Sequence, residues 1–93
     1  MRTVHDVHKY IKMKAPRSPV TGQMVVASAK KYGADVHMML AIMQMDSHFG
    51  TKGLGARTKN PGNVGNDGKR RRYYSSWQDG VHAVAHWIAR KKK

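Results

Sequence analysis

The chain contains no cysteine and no glutamate, only three prolines and one phenylalanine, and no long apolar run. Without cysteine there is no disulfide and no thiolate metal site to support a small core. Without glutamate, any carboxylate chemistry falls to five aspartates: Asp6, Asp35, Asp46, Asp67 and Asp79. The longest apolar stretches, residues 38–43 and 24–27, fall far short of the roughly 18–20 residues needed to span a membrane. No membrane span is expected.

Charge is what the chain has in excess. Eighteen Lys and Arg against five acids give +13 at neutral pH. Such a chain is drawn to polyanions by long-range attraction. Nucleic acid, an anionic membrane, and the teichoic or peptide carboxylate groups of a bacterial wall all satisfy that condition, and charge alone does not choose among them. The 93 residues allow one domain, 1–93, that buries roughly 60–65% of its unfolded surface. A monomer is expected. Seven methionines make the core adaptable, because Met fills irregular gaps.

The pattern predicts a mostly α domain. Val4, Val7 and Ile11 form a short helical stripe that Pro16 closes. Ser18 with Pro19 reads as the start of a second helix, with Val25, Ala29 and Tyr32 on its apolar side and Gly33 as a left-handed cap. Asp35 reads as the N-cap of a third. Val36, Met39, Leu40 and Met43 give this third helix a stripe apolar enough for a central, buried element. Six of the nine glycines lie between Gly50 and Gly68. This stretch reads as a long loop, with turns at Asn60-Pro61-Gly62-Asn63 and at Asn66-Asp67-Gly68, the second able to form a short β-hairpin. A last helix opens at Ser76, with Asp79 completing a capping-box-like arrangement. It carries Trp77, Val81, Val84 and Ile88 on one face and His82, His86 and Arg90 on the other. The expected architecture is about four helices around a buried central helix, with the Gly-rich loop or hairpin roofing a cleft.

Asp46 stands at the margin of the third helix's apolar stripe, near its end, facing the Gly-rich loop. Partial desolvation there raises a carboxyl's pKa and keeps a proton available, which is what cleavage of a glycosidic bond requires. The same position also suits an Asp that only accepts hydrogen bonds from loop amides.

The segment from Ala34 to Gly50, Ala-Asp-Val-His-Met-Met-Leu-Ala-Ile-Met-Gln-Met-Asp-Ser-His-Phe-Gly, resembles the catalytic helix of bacterial glucosaminidases and lytic transglycosylases of the lysozyme-like superfamily. Asn60-Pro61-Gly62-Asn63-Val64-Gly65 resembles the Asn-containing loop that follows that helix. Tyr74-Ser75-Ser76-Trp77-Gln78-Asp79-Gly80-Val81 resembles the segment that opens a later one. The three pieces keep the family's order over roughly residues 20 to 90.

The resemblance implies a lysozyme-like fold and cleavage of β-1,4 bonds between the amino sugars of peptidoglycan. Asp46 would be the general acid, and Ser47, Asn63 and Tyr74 the substrate-binding positions. Where the family has Glu, this chain has Asp46, one methylene shorter. That sets the carboxyl back by about 1.5 Å, a displacement that can cost about 100-fold in rate. Asp67 is the candidate second carboxylate, placed to activate water in an inverting mechanism. Lytic transglycosylases use a single acid, because the sugar's own C6 hydroxyl attacks.

No cofactor is implied. The pairs His5/His8 and His82/His86 have ligand spacing but lack a His-Glu-x-x-His signature. They read as solvated, and no metal site is expected. The partner is peptidoglycan or the anionic wall, with no specific nucleic acid. The N-terminus has no signal-peptide pattern, so an extracellular or cell-wall location would be reached by lysis or through a leader not present in this chain. Two other readings stay open: a non-catalytic wall-binding module of the same fold, and a basic nucleic-acid-binding helical domain built on the Lys69–Tyr74 run.

Overall fold

A computed structural model of the chain describes residues 3–66 and 69–91. It is mostly helical, with five helices among these residues and no strand: α1 (Val4–Lys14), α2 (Gly22–Tyr32), α3 (Val36–Ser47), α4 (Gly53–Thr58) and α5 (Trp77–Lys91). Side chains satisfy four of the helix starts, where backbone N–H groups lack partners. Thr3 accepts from the amide of Asp6 in α1, Thr21 from that of Met24 in α2, and Asp35 from those of His37 and Met38 in α3. At α5 the Ser76 hydroxyl accepts from the amide of Asp79 at 3.1 Å, while the Asp79 carboxylate accepts from Ser75 Oγ. Gly33 ends α2 with φ 69°.

α2 packs against α1, α3 and α5, and α3 also packs against α4 and α5. One apolar cluster joins Val7 and Ile11 of α1, Val25 and Ala29 of α2, Met39, Leu40 and Met43 of α3, and Val81, Val84, Ala85 and Ile88 of α5, with Val20 and Phe49 from the connections. Apart from Val4, which is 42% exposed, the stripes read from the sequence lie on the buried or partly buried faces.

Three expectations are corrected. The second helix starts at Gly22 rather than Pro19. Ser18 is buried instead, donating to the Phe49 carbonyl at 2.6 Å and accepting from the Val20 amide. α3 buries one face only: Met38 and Met45 on the other side are 47% and 87% exposed. The Gly-rich stretch is neither a plain loop nor a hairpin among the described residues. Residues 53–58 form α4, and the segment 70–74 runs back over it, with the Tyr74 amide donating to the Thr58 carbonyl at 2.9 Å. Asp67 and Gly68, the middle of the expected hairpin turn, lie outside the described residues. No described helix is long and apolar enough to cross a membrane.

Two buried polar side chains hold the chain after α3. Asn60 is fully buried; its amide accepts from the Val64 N–H and donates to the carbonyls of Val64 and Arg72. Ser47 is 2% exposed; its hydroxyl donates to the Pro61 carbonyl at 2.6 Å and accepts from the Gly50 N–H at 2.8 Å. α5 meets this loop backbone to backbone at Gly80. A methyl group there would overlap the Lys59 carbonyl and press on Pro61. Gly80→Ala is expected to cost about 2 kcal/mol through this overlap, a fall of roughly 10 °C in melting temperature for a domain of this size. Gly33→Ala meets no neighbouring atom and should cost only about 1 kcal/mol, from its left-handed backbone. Equal melting temperatures for the two variants would show that the α5–loop contact is not tight.

Candidate functional site

α3 ends in an unusual turn. His48 and Phe49 both have left-handed backbones (φ 49° and 58°), followed by Gly50 at φ 79°. Non-glycine residues adopt that region only at a cost. Phe49 is repaid by complete burial of its ring, edge-on to Tyr10. Trp77 covers Gly50 so closely that a Cβ there would lie 2.6 Å from the indole. This fixed turn places Asp46, one residue before the end of α3, at the rim of a cleft of about 210 Å³ lined by Ile42, Gly62, Asn63, Val64, Val84 and Trp87.

The Asp46 side chain is exposed at this rim. Among the described residues its carboxyl has no hydrogen-bond partner, so it does not serve as an acceptor for loop amides. Instead the loop bonds to its backbone: Asn63 Nδ2 donates to the Asp46 carbonyl at 2.9 Å. The apolar walls of the cleft partly desolvate the carboxyl and raise its pKa above the ordinary aspartate range, because burial penalises the charged form.

The structure brings Asp46 and Asn63 together and separates the other expected residues from them. Asn63 lines the cleft, but both ends of its amide are engaged, since Oδ1 accepts from Asn66 Nδ2 at 3.0 Å. Ser47 points into the protein, and its buried bonds to Pro61 and Gly50 leave it no direct contact with a ligand. It positions the end of α3 instead. Tyr74 lies in an adjoining groove rather than in the Asp46 cleft. Asp67 lies outside the described residues. Among the described carboxylates, Asp35 caps the opposite end of α3, about 16 Å away at 1.5 Å per residue, and Asp79 faces the far end of the groove.

No family model, curated protein or solved structure matches this chain. The geometry must therefore speak for the site.

One residue of the cleft escaped the sequence reading. Trp87, 37% exposed, lines both the Asp46 cleft and the adjoining groove. The signal was its spacing: three residues after Val84 and one before Ile88, it falls at the edge of the apolar face of α5. A Trp at an edge presents a flat apolar surface to whatever occupies the neighbouring space.

His8 and His82 are less solvated than expected, while His5 and His86 are exposed. His8 Nδ1 accepts from the Gly22 amide at 3.0 Å, and His48 Nε2 pairs with the Lys14 carbonyl at 2.9 Å. His82 Nδ1 lies 2.7 Å from the buried Ser28 hydroxyl, which also accepts from Gln78 Nε2. Desolvation, then the charge of Lys31, hold His82 below the usual imidazole range against a smaller opposing effect of Asp79. A lowered folded pKa means the unfolded chain binds a proton that the folded chain does not. Stability is then lost as pH falls from the ordinary histidine value of about 6.5 toward the lowered one. Melting temperatures measured down this range should fall less steeply for His82→Gln than for the wild type; parallel curves would exclude the coupling.

Proposed function

We propose that the chain is a glycosidase acting on the β-1,4-linked amino-sugar backbone of peptidoglycan, with a lysozyme-like arrangement of helices and Asp46 as its single general acid. The observation that carries this reading is the free Asp46 carboxyl, with its raised pKa, at the rim of an apolar cleft beside Trp87. A carboxyl with no internal bond to maintain, held protonated above the usual pH, is equipped to give up a proton. A tryptophan edge beside it offers the flat face on which a sugar ring packs. The order of the three sequence pieces that resemble glucosaminidases and lytic transglycosylases supports the same substrate class.

In this mechanism the protonated Asp46 donates to the glycosidic oxygen as the bond from that oxygen to C1 breaks, leaving oxocarbenium character on the sugar. Asp46, now a carboxylate, takes the proton from the incoming nucleophile. With no second described carboxylate in the cleft, the nucleophile is best supplied without a dedicated base. The C6 hydroxyl of the same sugar closes a 1,6-anhydro ring, or a water gives a reducing end. Asn63 holds the backbone of Asp46, and Ser47 holds the loop that carries Asn63, so both act by positioning. The protein would work outside the cell, at the wall, with its positive charge concentrating it there in a salt-dependent way.

Asp46→Asn should lower the release of soluble fragments from purified peptidoglycan by at least about 100-fold, the usual contribution of a general acid. Asp46→Glu restores the missing methylene and should raise the rate, by up to about 100-fold if the present setback is fully costly. In the wild type, activity should fall as pH rises through the raised Asp46 value, because only the protonated form donates. Fragment release by Asp46→Asn at the wild-type rate would remove Asp46 from the mechanism. Sedimentation of the wild type with peptidoglycan and no fragment release would make the domain a wall-binding module. Anhydro or reducing ends on the products distinguish the two nucleophiles.

A further inference from the structure

The cleft does not end at Trp87. Val64, Gly65 and Trp87 are shared with a second cavity, of about 460 Å³, which in turn shares Arg72, Tyr74, Ala83 and His86 with a third, of about 620 Å³. Together they make one groove along α5, from Asp46 to Lys31 and Tyr32 at the end of α2.

This groove is lined differently from the Asp46 cleft. Three aromatic rings along it each carry a cation. Lys31 Nζ stands 5.5 Å from the Tyr32 ring centre, the Arg72 guanidinium 5.4 Å from Tyr74, and Lys91 Nζ 5.6 Å from Trp87. Arg90 adds a fourth positive charge. Beyond the Asp46 cleft, Asp79 is the one carboxylate among the described residues that lines the groove, and it accepts from Ser75 Oγ. The one ion pair among them, His37 with Asp35, lies at the start of α3. Lys31, Arg72 and Arg90 therefore line the groove without a described carboxylate in ion-pair contact.

Cations set in series match a ligand that carries negative charge along its own backbone, rather than on side branches. Arg presents a fork that pairs with two phosphate oxygens, and Lys a point charge. Two of the rings are poor platforms for nucleobases, which stack on open aromatic faces. Tyr32 already has Lys31 on it and the rings of His82 and His86 at 5.7 and 5.1 Å, and Tyr74 carries Arg72, whereas Tyr73, 65% exposed, is the ring left open at that end. Tyr32, Tyr74 and Trp87 hold cations at the groove through cation–π attraction, so charge dominates what the groove presents to a ligand.

We propose that the groove along α5 is a binding site for a flexible phosphodiester chain of the polyol-phosphate type, used independently of the chemistry at Asp46. The chain would lie along Lys31, Arg72 and Arg90 and approach the glycan cleft at Trp87, so that one molecule could engage two polymers of the same wall.

The test is a titration of fluorescently labelled poly(glycerol phosphate), with a labelled oligothymidylate of equal phosphate number in parallel. The proteins are the wild type, the groove variant Lys31→Gln/Arg72→Gln/Arg90→Gln, a control variant Lys9→Gln/Arg17→Gln/Lys52→Gln with the same loss of charge away from the groove, and Asp46→Asn. All six substituted cations are exposed, and thermal melts verify that each variant is folded. The wild type should bind poly(glycerol phosphate) about 20-fold more weakly when salt rises fourfold, as three phosphate contacts on a flexible polyanion imply. The groove variant should bind at least about 10-fold more weakly than the control variant at one salt concentration, and Asp46→Asn should bind as the wild type does. Equal weakening by groove and control variants, or no binding by the wild type, would overturn the proposal. So would tighter binding of the oligothymidylate that only the groove variant loses, which would make the groove a nucleic-acid site. Because binding is read without turnover, failure of Asp46 as a catalyst leaves this result unaffected.

Discussion

The hydroxyl of Ser47 sits where α3 stops and the chain reverses, and most of what is distinctive about the molecule hangs on its two bonds. It donates to the Pro61 carbonyl and accepts from the Gly50 N–H, joining the end of α3 to both the turn that follows and the loop that returns. No water reaches it to replace a lost partner, so each bond matters more than its net average of about 1 kcal/mol. Gly55 approaches so closely that an added Cβ would lie 2.5 Å from the Ser47 Cβ, so α4 is seated against the same residue. Ser18 reaches the same turn from the other side through the Phe49 carbonyl. Two buried hydroxyls thus fix a left-handed turn that its own residues disfavour, and the turn fixes the rim of the cleft.

Much of the helical framework was legible because its signals are local. Asp35 before an apolar run, Gly33 after one, and Val7, Ile11, Val25, Met39, Met43, Val84 and Ile88 at helical spacing each report a backbone preference or a buried face that needs no knowledge of the rest. Helix α4 was not legible, and its composition explains why. Gly53-Leu54-Gly55-Ala56-Arg57-Thr58 has two glycines in six residues, a sequence that would not hold a helix by propensity. It is held by contacts: Thr58 donating to the Leu54 carbonyl, Asn60 N–H to that of Gly55, and the packing of Gly55 on Ser47. Ser18-Pro19 was misread for a related reason. Its local pattern is that of a helix start, but a distant carbonyl, that of Phe49, takes the hydroxyl.

The site shows the same division. The position of Asp46 could be read from its place at the end of an apolar stripe, and the absence of a hydrogen bond to its carboxyl among the described residues could not. Asn60 was visible as a turn residue, yet its burial and its three bonds make it the tie between the turn at 60–64 and Arg72. Ser47 looked like a residue for a ligand because it follows the acid; a helix places the next residue 100° further round, and here that direction leads into the core. Trp87 was hidden by its neighbours, since a helix face with Val84 and Ile88 absorbs one more apolar residue without comment.

The methionines of α3 divide into two chemical populations. Met39 and Met43 are fully buried, whereas Met38 and Met45 stand in solvent on the opposite side, with Met13 of α1 67% exposed. Oxidation of a thioether to the sulfoxide turns a flexible apolar group into a polar one. At Met39 or Met43 that change would have to be accommodated inside the packed cluster, but at Met45 it occurs in water. The exposed sulfurs meet an oxidant first and can carry the modification with the core intact, so in a chain without cysteine they are the natural sink for oxidative damage. Met45 is also the immediate neighbour of Asp46, and a sulfoxide there would add a polar, hydrogen-bond-accepting group at the threshold of the cleft.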